Sequence, residues 1–126
     1  YALYREALHV LELGVADVAT IDMACRNALG LWATLCGPFR WIDLSGGPAL
    51  YAQAMAGVLP SLSSATELTD GMKQLAASGA RGIAHGRGFY QYSEEEAARW
   101  EDLYRRHAWT VRKLQDEYYP QTREDV

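Results

Sequence analysis

The feature that most narrows what this chain can fold into is a repeat near its C-terminal end. Ala97, Trp100, Tyr104, His107, Val111, Leu114 and Tyr118 recur at alternating spacings of three and four. That period places them along one seam of an α-helix packed against another helix, and it is incompatible with the two-residue period of a strand. Ser93 with Glu96 three residues later makes a capping box, and Glu94, Glu95 and Glu96 suit the positive end of a helix dipole. The expected helix runs from Ser93 to Tyr119, with Pro120 as its stop and a loose tail over 120–126. At 1.5 Å per residue it is about 40 Å long, more than a small domain covers alone. A partner surface is therefore expected, from a second subunit or another domain; the alternative is a helix that lies across its neighbours and frays. Arg105, Arg106, Arg112 and Lys113 are offset by Glu101, Asp102, Asp116 and Glu117, the pattern of a solvated face.

The chain ahead of this helix also reads as helical. A first helix is expected from Tyr1 to Leu13, with Leu3, Ala7, Leu8 and Leu11 facing the core, Tyr1 and Tyr4 beside them, and Gly14 as its stop. His9 lies near that stripe and reads as a packed or hydrogen-bonded helix histidine before a functional one. Asp17 is the expected N-cap of a second helix that ends at Leu29 and Gly30, with Ile21, Ala24, Cys25 and Ala28 at helical spacing. Trp32 to Phe39 reads as an apolar link. Pro38 then opens a short third helix to Leu44, because a proline at the first helical position loses no hydrogen bond. Ser45-Gly46-Gly47 interrupts, and Pro48 opens a fourth helix to Leu59 that carries Leu50, Tyr51, Ala54, Met55 and Val58; Pro60 closes it. After the polar segment Ser61 to Ser64, Thr66 or its neighbours cap a fifth helix to Ser78, with Leu68, Met72, Leu75 and Ala76 inward and Gly79 as the stop. Only Phe89 to Tyr92 is expected to be extended. The fold class is all-α.

Composition excludes several functions. A chain of 126 residues, 49% hydrophobic and 22% charged, is that of one globular domain large enough to bury a core without disulfides or metal. Its net charge of −4 argues against nucleic acid as a partner. Cys25 and Cys36 have no CxxC or Cys/His spacing of a zinc site, so free thiols in a reducing cytoplasm are expected. No apolar run reaches membrane-spanning length and no signal-peptide pattern opens the chain. The absence of an initiator Met before an amphipathic pattern that starts at Tyr1 suggests a piece of a longer protein.

Self-contained catalysis finds little support. The stretch Gly79 to Tyr92, GARGIAHGRGFYQY, sets Arg81, His85 and Arg87 among four glycines, and those cations could meet an anion. It is neither a dinucleotide fingerprint nor a P-loop, because it lacks GxGxxG, follows a helix rather than a strand, and has no GKS or GKT ending. The serines Ser45, Ser61, Ser63 and Ser64 sit in turn-like segments without a nucleophile elbow. Asp17 with Asp22, and Glu67 with Asp70, are more economically caps and first-turn acids than acid–base pairs. For His85 and Arg87, bonding to nearby carbonyls or helix ends is the simpler role, and the stretch reads as a hinge before the long helix.

Three segments together nevertheless carry a resemblance: REALHVLELGVADVATID from Arg5 to Asp22, the GPF turn at Gly37 to Phe39 with Asp43 following, and HGRGFYQY from His85 to Tyr92. In order and spacing they resemble the C-terminal helical domain of the 3-hydroxyacyl-CoA dehydrogenases, over residues 1–92. The resemblance implies a helical bundle like the 6-phosphogluconate dehydrogenase C-terminal-like fold, with 93–119 as an extension helix. It implies a parent enzyme whose Rossmann domain, outside this chain, binds NAD and carries a His/Glu catalytic pair that oxidises a 3-hydroxy group to a ketone. The helical domain would then supply a homodimer interface and one wall of the acyl-substrate cleft, with Gly37, Pro38 and Phe39 as substrate-binding residues at a helix start, the alternative for these three being a packed helix start alone. This chain itself would carry no catalytic, cofactor-binding or metal residue. By the same resemblance the family's substrate-contacting Asn would fall just before Tyr1, outside this chain. The long link LWATLC, between Gly30 and Gly37, is more similar to the branch that includes lambda-crystallin, gulonate dehydrogenase and carnitine dehydrogenase, which questions a CoA ester as substrate. A free-standing helical interaction module without catalysis is the competing expectation.

Overall fold

Local capping chemistry sets where each helix begins and ends. The structure, a computed structural model, describes residues 1–119, so the expected stop at Pro120 and the tail 120–126 lie outside the described residues. Helix α1 spans Ala2–Glu12 and closes at Leu13, with Gly14 at φ 67° making the left-handed exit. Helix α2 spans Val18–Asn27, and the Asp17 carboxylate accepts the Thr20 N–H at 2.8 Å, the cap expected from sequence. Hydrogen bonds from Thr20 hold the Asp17 carboxyl below the usual aspartate range.

The apolar link departs from expectation. Helix α2 ends at Asn27, the backbone breaks at Ala28, and a short helix α3 resumes over Leu29–Ala33. Gly30 is therefore no terminator. It is not among the glycines at positive φ, and an added Cβ there would sit 3.6 Å from the Cys25 carbonyl oxygen, so the chain passes through it as helix. Helix α4 follows at Pro38–Leu44 with Gly37 as N-cap, and α5 at Gly47–Val58, ending in a 3₁₀ turn over Leu59–Ser61. Helix α6 is shorter than expected, Asp70–Ala77, and its cap is Thr69 rather than Thr66, since the Thr69 hydroxyl accepts the Met72 N–H at 3.3 Å. These elements form one compact unit, Tyr1–Ala77.

The second unit starts at Ser78, so the glycine-rich stretch groups with the long helix. The stretch folds on itself. Gly82 donates to the Arg87 carbonyl at 2.8 Å and Tyr92 donates to the Gly86 carbonyl at 2.8 Å, around a 3₁₀ turn over Ile83–His85. Gly82 and Gly86 need to be glycine: both have positive φ, and a Cβ on Gly86 would lie 3.1 Å from the Tyr92 carbonyl oxygen. Phe89 and Tyr90 sit in a bend, not the expected extended segment, and Gln91 alone of 89–92 makes a β-bridge, to Arg87. Helix α7 then runs over Glu94–Tyr118 with both halves of the capping box formed. Its charges pair along the helix, Arg106 with Asp102 at 2.6 Å and Arg112 with Asp116 at 3.0 Å, as a solvated face should.

The molecule is all-α: among the described residues there is no strand beyond isolated bridges. The expected core does not close. Cys36, at 9% exposure, is the buried hydrophobic residue among those described, while Leu3, Leu50, Met55, Val58 and Leu68 are exposed. Their periodicity marks apolar helix faces, and the described residues cover these only in part. No described helix is long and apolar enough to cross a membrane.

Capping carries α7 in a way that can be measured. Replacing Ser93 by Ala removes the acceptor for the Glu96 N–H and is expected to cost about 1 kcal/mol. Chemical unfolding followed by far-UV circular dichroism, wild type against Ser93→Ala, reads it directly; an unchanged midpoint would show that the box contributes nothing.

Candidate functional site

The substrate-wall residues expected from sequence, Gly37, Pro38 and Phe39, form the first turn of α4. Gly37 is extended at φ −76° and ψ 173°, Pro38 enters the helix without an N–H to lose, and the Trp41 N–H closes the turn on the Gly37 carbonyl at 3.0 Å. The turn is held from both sides. Trp32 of α3 stacks on Trp41 of α4 with ring centroids 5.2 Å apart and planes within 6°. The Trp32 carbonyl accepts the N–H of both Leu35 and Cys36 at 2.9 Å, which seats Cys36 inward and delivers Gly37. On the far side the Ser45 hydroxyl donates to the Trp41 carbonyl at 2.5 Å and meets the Tyr51 hydroxyl at 2.7 Å, tying α4 to α5.

This bracing leaves Phe39 projecting, 83% exposed, beside the exposed Arg40. A large ring on a braced turn has not been placed there by core packing. Its face can cover apolar carbon or attract a cation, while the amides of a helix start and the Arg40 guanidinium favour a carboxylate. The turn has no general base or nucleophile within it.

A second concavity was not legible in the sequence. Helix α1 and the segment that precedes α6 enclose a cavity of about 450 Å³ lined by Tyr1, Tyr4, Leu8, His9, Thr66 and Leu68, among others. Two acids of α1 hold that segment in place. Glu6 Oε2 accepts the Ser63 N–H at 3.0 Å, and Glu12 Oε1 accepts the Gly71 N–H at 3.4 Å. The bond from Ser63 holds the Glu6 carboxyl below the usual glutamate range, against some loss of hydration and with help from Arg5. Nothing in the sequence singles out Glu6 or Glu12, because their partners lie 57 and 59 residues along the chain. His9, near the apolar stripe of α1, is half-buried at the cavity wall.

The remaining candidates lie in the other unit. His85 ends the 3₁₀ turn, and its backbone N–H bonds to the Gly82 carbonyl at 3.1 Å; Arg87 supplies the bridging backbone, and both side chains are exposed, as is Arg81. Cys25 and Cys36 are free thiols. Among the described residues no group of three His, Cys, Asp or Glu could hold a metal ion.

Residues 1–92 match the family described as 3-hydroxyacyl-CoA dehydrogenase, C-terminal domain. This chain belongs to that family. Its relatives include L-carnitine dehydrogenase of Staphylococcus epidermidis, 31% identical over 94% of this chain and 36% of the relative, and L-carnitine dehydrogenase of Oceanobacillus iheyensis, 36% identical over 68% of this chain and 30% of the relative. The chain thus spans about a third of the length of these curated relatives. The solved structure of an NAD⁺-dependent dismutase, 5-formyl-3-hydroxy-2-methylpyridine 4-carboxylic acid 5-dehydrogenase, superposes with a TM-score of 0.79 at 23% identity, covering 94% of this chain and 37% of that one. At that identity the likeness concerns the fold, and the fold includes most of the chain beyond residue 92.

The Glu6 anchor should titrate. Because its folded pKa is depressed, its contribution is complete above the unfolded value of about 4.3 and is lost as pH falls through the lower folded value. The amide proton shift of Ser63, followed by NMR, should move with a midpoint below the ordinary glutamate value and lose that transition in Glu6→Gln; a transition that survives the substitution would assign it to another group.

Proposed function

We propose that this chain is the helical substrate-cleft and dimerisation domain of an NAD-dependent dehydrogenase that oxidises the 3-hydroxy group of a small free hydroxy acid, of which carnitine is the type, and not a CoA thioester. The observation that carries this reading is the braced Gly37–Phe39 turn behind the long Leu31–Cys36 link, in a chain whose matched relatives include L-carnitine dehydrogenases. Carnitine has a carboxylate at one end, a quaternary ammonium at the other and a hydroxyl between them. A helix start beside Arg40 suits the first, and an exposed aromatic ring suits the second.

The residues present do not fit the nicotinamide cofactor. There is no strand followed by GxGxxG and a helix, and no strand among the described residues at all, so cofactor and catalytic groups would belong to a preceding domain in a cytoplasmic homodimer. The role of this chain is then to orient the substrate, exclude water and join two protomers. That role accords with a site that has ring and amides but no proton-transfer group.

The parent coding region tests the domain assignment. A strand, GxGxxG and helix are expected upstream of Tyr1, and a start codon adjacent to Tyr1 would instead favour a free-standing interaction module. In the complete enzyme, NADH formation is expected with L-carnitine or a similar free 3-hydroxy acid and not with 3-hydroxybutyryl-CoA. Phe39→Ala should raise KM about tenfold, equivalent to ~1.4 kcal/mol, with little change in kcat. An unaltered KM would return Phe39 to a purely structural role.

A further inference from the structure

The helix that carries the substrate turn is too short to hold itself in place. Helix α4 has seven residues, Pro38–Leu44, and an isolated helix of that length does not persist in water. Its neighbour α5 offers little packed surface: Leu50, Met55 and Val58 are exposed, and Tyr51 is the one side chain of α5 that is half-buried. The placement of Phe39 therefore depends on a few discrete links, and these converge on Trp41. Its N–H donates to the Gly37 carbonyl at 3.0 Å, and its ring stacks on Trp32. Its carbonyl accepts both the Ser45 N–H, at 2.9 Å, and the Ser45 hydroxyl.

The link from α5 has a fixed sense. A carbonyl oxygen can only accept, so the Ser45 hydroxyl gives its one proton to Trp41. In the 2.7 Å contact between the Ser45 and Tyr51 hydroxyls, Tyr51 is then the donor. Donation runs from Tyr51 to Ser45 to Trp41, and bonds in such a chain polarise and strengthen one another. Gly46 and Gly47, at φ 138° and 83°, make the reversal that brings Tyr51 back to Ser45.

We infer that Tyr51 is a positioning residue for the substrate turn: its hydroxyl, acting through Ser45 and Trp41, fixes where α4 presents Phe39 and so sets the affinity for substrate. This rests on the role proposed above for the Gly37–Phe39 turn, and adds a residue that governs the site from another helix. Ser45 lies six residues beyond Phe39, about 9 Å along the helix axis, so the link is made at the opposite end of α4 from the ring. A turn left free to tilt has to be ordered again when substrate binds, and that cost weakens affinity without altering the chemical step.

The test is a double-mutant cycle in the complete enzyme, read as KM and kcat for L-carnitine, with retained helicity of each variant checked by far-UV circular dichroism. Tyr51→Phe keeps the ring and removes the donor; it should raise KM about fivefold, the scale of one hydrogen bond, with kcat unchanged. Ser45→Ala removes both hydroxyl bonds and should raise KM at least as much. In the Phe39→Ala background neither substitution should raise KM by more than about twofold further, because the ring they position is gone. A contribution to stability alone would act equally with and without Phe39. A KM unchanged by either substitution, or raised by the same factor in both backgrounds, overturns this inference; where Phe39→Ala still raises KM, the proposed function stands. An enzyme inactive on free hydroxy acids, or a Phe39→Ala variant with unaltered KM, overturns the proposed role of the turn and this inference with it.

Discussion

Removal of apolar surface from water is the main free-energy gain available to a chain without disulfides, and it has to offset the conformational entropy lost on ordering each residue. In this chain that gain is left largely unrealised. Among the described residues Cys36 is the buried hydrophobic one, and apolar side chains on α1, α5 and α7 are open to solvent. The helices are nevertheless well delimited, since their ends are fixed by interactions that span three or four residues: Asp17 on Thr20, Thr69 on Met72, Ser93 with Glu96, and glycines at positive φ after α1 and α6. Secondary structure here is locally specified, while its apolar faces stay exposed to solvent.

An aromatic stack and a hydroxyl contact converge where the candidate site is. The Trp32–Trp41 stack, the two amides gathered on the Trp32 carbonyl and the Ser45–Tyr51 hydroxyl contact brace a single turn from both sides. A turn held in this way can present Phe39 to a ligand at little further ordering cost, which is the physical content of preorganisation. The second concavity works differently. Two carboxylates of α1 accept backbone amides of a distant segment, so the cavity wall depends on hydrogen bonds between elements and not on packed side chains.

Much of this was legible in the sequence, and what was missed has a common cause. The helix starts at Asp17, Pro38 and Ser93 were readable because cap and partner are sequence neighbours. So were the family, from three ordered motifs over residues 1–92, and the Gly37–Phe39 turn. The misreadings at Gly30, at Thr66 and over Phe89–Tyr92 arose where a residue's usual local habit yielded to context. Gly30 is helical because Ala28 makes the break, Thr69 is nearer to α6 than Thr66, and the 82–92 loop bonds to itself instead of extending. The Glu6 and Glu12 anchors were beyond any local pattern.

By itself the sequence determined the all-α class, the caps, the long seamed helix and the family, because these depend on periodicity and on residues within a turn of one another. Only the tertiary structure decided that the apolar faces stay open, that Trp32 stacks on Trp41 behind an exposed Phe39, and that a cavity forms beside α1. The reason is that burial and long-range hydrogen bonds depend on which segments meet in space, and residues 57 or 59 positions apart leave no periodic trace of that meeting.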